Sequence, residues 1–162
     1  MGAVFSTDRR CRYLLDRDLG GSGPVMSIGM INPSIANEDA NDPTVTRVVG
    51  FGQRLGASKV ILWNQFAAIT PYVRELRDMV DPVGPDNDGH IIGALLSSQI
   101  HVVAWGPLSK LPKPLRDRRW RVIEIGRDLG VRFMCWDTAQ DGQPKHPLML
   151  PYALELKPWE AC

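Results

Sequence analysis

Three polar strings in this chain each sit just beyond an apolar run, and their residue types can do chemistry together. Gly29-Met30-Ile31-Asn32-Pro33-Ser34 closes the run that starts at Val25. Asn64-Gln65-Phe66 follows Val60-Ile61-Leu62-Trp63. Asp141-Gly142-Gln143-Pro144-Lys145-His146-Pro147-Leu148 carries a histidine between prolines. An amide presents a donor and an acceptor together, which matches the edge of a nucleobase, and a ring can stack on the base's face. An imidazole can donate a hydrogen bond to developing negative charge. Brought to one rim with Gly106-Pro107-Leu108-Ser109-Lys110, these groups would make a polar pocket for a flat heterocycle.

Plainer roles stand beside these. Asn64 could cap backbone groups at a strand end, Asn32-Pro33-Ser34 could be only a tight turn, and His146 could pin a loop. Asp42 reads as a helix cap, with Arg47 able to reach either Asp42 or a phosphate. Lys110, Lys113, Arg116, Arg118, Arg119 and Arg121 make either a phosphate-facing track or a solvated helix face. A rival chemistry lies in Asp81, Asp86, Asp88 and His90, which with Asp42 could hold Mg²⁺ for nucleotide hydrolysis. The same stretch also reads as a turn plus the cap of the helix that follows. It lacks the calcium-loop spacing, because Gly84 stands two before Asp86. The chain has no phosphate-loop, GxSxG or HExxH pattern.

The elements that must position these groups follow from apolar patterning. Val25–Ile31, Lys59–Trp63, His101–Trp105 and Val131–Trp136 are too short for buried helices and read as strands. Asp42-Pro43 opens a helix with Val45, Val48, Val49, Gly52 and Leu55 on one face, ended by Gly56. Thr70-Pro71 opens a short helix to about Met79, residues 91–96 mark another, and Leu115 to Leu129 a fourth, ended by Gly130. Strands and helices in alternation predict an α/β fold, a three-layer sandwich with a four-stranded, mainly parallel sheet. Residues 1–24 add an edge strand or hairpin lead-in to a single domain spanning 1–162.

The chain has 162 residues, 19 Lys and Arg against 18 Asp and Glu, and a formal charge of +1. That balance argues against a strongly basic, non-specific nucleic-acid binder but leaves room for a local basic groove. Apolar residues are 44% and charged residues 23%, which fits one packed domain and not a disordered chain. No apolar run approaches the roughly twenty residues of a membrane span, and MGAVFSTDRR has no apolar signal core. Cys11, Cys135 and Cys162 are odd in number and lack CxxC spacing. The expectation is a cytoplasmic protein without a disulfide framework or structural zinc site.

In order and character, the strand-end strings resemble motifs of the uracil-DNA glycosylase superfamily. Gly29-Met30-Ile31-Asn32-Pro33-Ser34 resembles its GxNPG or GQDPY string. Val60-Ile61-Leu62-Trp63-Asn64 resembles its strand ending in asparagine, Val102-Val103-Ala104-Trp105-Gly106 its strand ending in Trp-Gly, and His146-Pro147-Leu148 its His-Pro-Ser loop. The whole string, with DPT…R, DPVGPDND and GQPKHPL, is also similar to an uncharacterised bacterial and phage family, domain of unknown function 1643. The superfamily resemblance implies a DNA glycosylase fold and excision of a nucleobase, including a modified one, from DNA without a metal or cofactor. It implies that Asn64 reads the base edge, with Phe66 and Ile31 against the base. His146 would stabilise the departing base, and Asn32 would position water. Pro33, Ser34, Arg47, Lys110 and Lys145 would meet the DNA backbone, and Leu148 would sit where a wedge enters the duplex. The acidic water activator of the GQDPY subgroup is absent, and Leu148 stands where the superfamily has a phosphate-gripping serine. Two alternatives are a non-catalytic nucleic-acid or nucleotide-binding module and a metal-dependent nucleotide hydrolase.

Overall fold

The computed structural model describes residues 2–34 and 40–161. In chain order the main elements are β1 (Gly2–Phe5), β2 (Arg12–Asp18), β3 (Val25–Met30), α1 (Pro43–Arg54), β4 (Lys59–Asn64), α2 (Asn87–Leu96), β5 (Ile100–Val103), α3 (Arg118–Asp128), β6 (Met134–Cys135) and β7 (Lys157–Pro158). The strands form one seven-stranded sheet in the order β1-β2-β4-β3-β5-β6-β7. The four expected strands are its parallel centre, β4-β3-β5-β6. The sheet is wider than the four strands expected because β2 and β1 join antiparallel beside β4, and β7 pairs antiparallel with β6. The edge strands carry little apolar signal: β1 is only half-buried and the two residues of β7 are exposed.

Side chains alternate across the sheet, and that alternation makes two cores. Met26, Ile28, Val60, Leu62 and Val102 pack with Val45, Val48 and Phe51 of α1 on one face. Trp63, Val103 and Phe133 pack with Ile91 and Leu95 of α2 and Val122 and Ile125 of α3 on the other. The helix α1 starts where Asp42 predicts, with Asp42 Oδ1 accepting from Val45 N at 2.8 Å and Pro43 in the first turn. The reversal after it uses Gly56 at φ 69°, and α3 ends likewise on Gly130 at φ 68°.

Three boundaries depart from expectation. The segment after Thr70-Pro71 is a 3-10 helix, Val73–Asp78, and Thr70 Oγ1 bonds Glu75 Oε2 at 2.5 Å instead of capping an α-helix. The helix α3 begins at Arg118, after two short 3-10 turns, Leu108–Lys110 and Lys113–Leu115. Pro107, Pro112 and Pro114 lack the N–H that a longer helix would need there. The last parallel strand shrinks to Met134–Cys135. Among the described residues no helix is long and apolar enough to cross a membrane.

The centre of the sheet is tight at one crossing. A Cβ on Gly29 would stand 2.2–2.6 Å from three atoms of the Trp63 indole, and Trp63 is fully buried. Gly29→Ala therefore overpacks the core, and urea denaturation is expected to show a loss of about 1–3 kcal/mol. Gly93 is exposed on α2 with open space around it, so Gly93→Ala should gain about 0.5–1 kcal/mol. Equal stability of the two variants would contradict this packing.

Candidate functional site

The strands β3 and β4 stop together, with Met30 paired to Asn64. The pairing continues past the strand ends, as Gln65 N donates to Met30 O and Phe66 N to Ile31 O, both at 2.9 Å. Beside them the chain after β5 catches the distant histidine loop. Trp105 Nε1 donates to Gln143 Oε1 at 3.0 Å, and Gly106 N donates to Pro144 O at 2.7 Å. Gly106 sits at φ +84°, a turn conformation that favours glycine, with His146 packed against it. These contacts bring His146 to a cavity of about 350 Å³ that Asn32, Asn64, Ile31, Ser34 and Leu148 also line. It lies off the carboxyl ends of parallel strands, the usual place for a ligand in an open α/β sheet.

Asn64 is only 4% exposed, and its side-chain amide makes no hydrogen bond with any described residue. Its backbone carbonyl is bonded, accepting from Asn87 Nδ2 at 3.0 Å. Unlike the enclosed Trp63 Nε1 and Gln65 Oε1, the Asn64 amide meets solvent in the cavity, so a ligand there would exchange water's hydrogen bonds for its own. His146 Nδ1 accepts from Leu148 N at 3.3 Å. This assigns the neutral tautomer with the proton on Nε2. Burial pushes the imidazole below its ordinary value of 6.5, with Asp42 opposing. Asn32 does form the tight turn, since its Nδ2 donates to Pro33 O at 2.9 Å and Thr70 O at 2.7 Å. Its Oδ1 accepts nothing from the described residues and remains for the cavity.

Two lining residues were not anticipated in this role. Arg12, 4% exposed, reaches the cavity from the start of β2. Burial draws its guanidinium down to about 10, with Asp42 opposing and Arg17 adding to the shift. Asp42, read as a helix cap, lines the cavity as well. The available signal for Arg12 was an arginine opening a buried run, Cys11-Arg12-Tyr13-Leu14-Leu15.

The other expected contacts do not gather here. Phe66 is 1% exposed and packs with Ala68, Leu76 and Leu111 in a separate small core, so its ring is not a stacking face in the cavity. Pro33 is buried, and its carbonyl is taken by Asn32 and by Thr70 N. Arg47 reaches neither Asp42 nor an open surface: it donates to Leu150 O and lies 3.7 Å over the Tyr152 ring. Lys145 pairs with Asp137 at 2.6 Å, and Lys110 is exposed on a 3-10 turn away from the lining. Most of the basic run holds the fold together. Arg118 and Arg121 both bind Asp88, Arg116 Nε donates to Leu111 O, and Arg119 Nη1 to Arg116 O.

The acidic stretch does not converge on one point. Asp81 Oδ1 accepts from Gly84 N at 3.0 Å, Asp86 accepts from the Tyr13 hydroxyl, and His90 stacks on Tyr13 with ring centroids 4.6 Å apart. Burial alone would raise the Asp88 carboxyl, but hydrogen bonds from Arg118 and Arg121 outweigh it and hold Asp88 below the usual range. Among the described residues no three His, Cys, Asp or Glu side chains are placed to share a metal ion. Cys11 and Cys135 are buried and unbridged, each thiol raised by burial. Cys162 lies outside the described residues.

The imidazole geometry has a pH signature. His146 should titrate below 6.5 in ring-nitrogen NMR spectra, with the proton on Nε2 in the neutral form; a midpoint at or above 6.5 would contradict the buried site. As pH falls through 6.5 the unfolded chain takes the proton before the folded one does. The His146 contribution to stability is therefore complete above that pH and declines below it until the folded ring protonates. The ring of His101, also lowered by burial, adds a contribution of the same sign, so His146→Gln should remove only part of the slope.

Comparison with known proteins gives one match. No curated protein and no solved structure matches the chain. The model of a family described as a protein of unknown function, DUF1643, matches residues 12–148, a span that includes Arg12, both amides and His146. The chain belongs to the DUF1643 family.

Proposed function

We propose that this protein recognises a nucleobase in the cavity between Asn64 and His146 and excises it from DNA. The observation that carries the reading is the Asn64 amide, open to the cavity and without a bond to the described residues, on the same cavity as an imidazole whose Nε2 holds its proton. A cavity of about 350 Å³ is near the small end of ligand pockets, a size for one ring system. The order of strand-end strings that resembles the uracil-DNA glycosylase superfamily supports the same reading, and a fold of that kind is part of the proposal.

In this mechanism the target nucleotide leaves the base stack and enters the cavity. The Asn64 amide pairs with the base edge. His146 Nε2–H donates to a carbonyl oxygen of the base, where negative charge collects as the N-glycosidic bond breaks. One such donor contributes roughly 3–4 kcal/mol in a dry site. Asn32 Oδ1 accepts a hydrogen bond from the water that attacks C1′ of the sugar. The products are the free base and an abasic sugar: the water's oxygen and one proton become the C1′ hydroxyl, and the other proton neutralises the departing base anion. Ile31 and Leu148 wall the base, and Ser34 lies at the cavity where a neighbouring phosphate would pass.

A second reading has its own support. Arg47, Arg118, Arg121 and Lys145 are engaged within the chain, which favours a free nucleoside or nucleotide over a long DNA track as the ligand. Labelled oligonucleotides carrying uracil, hypoxanthine, hydroxymethyluracil or a bulky modified base, incubated with EDTA, separate the possibilities. Abasic sites formed in EDTA are expected. Asn64→Ala and His146→Ala should each slow their formation by about 10²–10³-fold while the thermal melt stays cooperative. Tight binding with no product would leave the binding module, and phosphate release abolished by EDTA would point to the metal-dependent hydrolase. Full excision by both variants would remove the site assignment.

A further inference from the structure

The acidic string Asp86-Asn87-Asp88 finds no place as a metal site, yet its middle residue bonds two successive carbonyls at the end of the base-reading strand. β4 pairs with β2 as far as Trp63, opposite Leu14. Beyond that point the carbonyls of Asn64 and Gln65 turn toward α2, inside the protein, where each needs a donor. Asn87, at the first position of α2 and 0% exposed, supplies it: Nδ2 donates to Asn64 O at 3.0 Å and to Gln65 O at 3.1 Å. Arg118 Nε from α3 adds a bond to Gln65 O at 2.9 Å, while the same guanidinium binds Asp88. Asp88 is held in turn by Arg121 Nε at 3.0 Å. The far side of this segment is fixed by Gln65 N and Phe66 N on the end of β3.

We infer that Asn87 is a positioning residue for Asn64, a buckle that sets the direction of the base-reading amide from behind. Asp88 and Arg118 brace the buckle. No other residue type of this size offers two N–H groups from one nitrogen to adjacent carbonyls. The inference rests on the base-pocket reading above, but its first test does not depend on activity.

That test is the side-chain amide resonance of Asn64 in ¹H–¹⁵N spectra of the full chain. Asn87→Ala should shift it and slow excision by about 10–100-fold, as displacement of a reacting group by a fraction of an ångström does. Asp88→Asn, which keeps Asn87 and weakens the Arg118 and Arg121 ion pairs behind it, should shift it less and slow excision less. If Asn87→Ala does not fold, Asp88→Asn decides the matter alone. In an Asn64→Ala background neither change should slow excision further, because both act through Asn64. An unmoved Asn64 resonance in the folded variants, or losses that add in full to that of Asn64→Ala, would overturn the inference. A wild-type protein that excises nothing would defeat the base-excision reading instead, and the resonance would still decide the buckle.

Discussion

Parallel strands end with backbone groups that still need partners, and in this protein the bonds that satisfy them hold the segments around the cavity. Asn87 bonds the carbonyls of Asn64 and Gln65, Asn32 bonds those of Pro33 and Thr70, and Gly106 N bonds Pro144 O. Each buried carbonyl left alone would cost about 1–3 kcal/mol, so losing any one of these contacts is costly. The consequence is a contrast at one strand end. The Asn64 carbonyl is bonded, whereas its side-chain amide is left to the cavity. A folded chain keeps such a group in place and available, and a site built to hydrogen-bond a ligand group rejects ligands that lack it.

The rest of the molecule reads as support for that strand end. The two cores clamp the sheet from opposite faces, α1 on one and α2 with α3 on the other, and the Gly29–Trp63 crossing lets β3 and β4 lie close under the cavity. Tying His146 to Gly106 and Trp105 across some forty positions of sequence places the imidazole by sheet geometry, not by a local turn. The ion pairs on Asp88 serve the same end. With side chains of 34% exposure for Asp88 and 10% for Arg118, that pair is far better shielded from water than an ordinary surface bridge.

The parallel centre of the fold was legible because its strands are continuous apolar runs, and α1 because Asp42-Pro43 is an unambiguous start. The strand β7 was not, since its two exposed residues leave no pattern, while β1 and β2 fall within residues 1–24, where an edge strand or hairpin lead-in was expected. Asn32, Asn64 and His146 were legible as strand-end polar groups, and the structure does bring them to one cavity. Phe66 and Arg47 looked equally suitable by type and position, but a side chain's direction depends on long-range packing, and theirs is set by the small core around Leu76 and by Tyr152. Asn87 was hidden for the opposite reason. In a string of aspartates its neighbours suggested metal binding, while its own task depends on carbonyls more than twenty residues away. Arg12 was hidden among the apolar residues of an edge-like strand.

The central claim is that Asn64 and His146 face one ligand. Titration of the ¹⁵N-labelled protein with free pyrimidine and purine bases tests it most directly. The account predicts that the Asn64 side-chain amide and His146 Nε2 shift together along one saturation curve for at least one base, with Asn32 following. Shifts confined to another surface, or separate curves for the two residues, would contradict it.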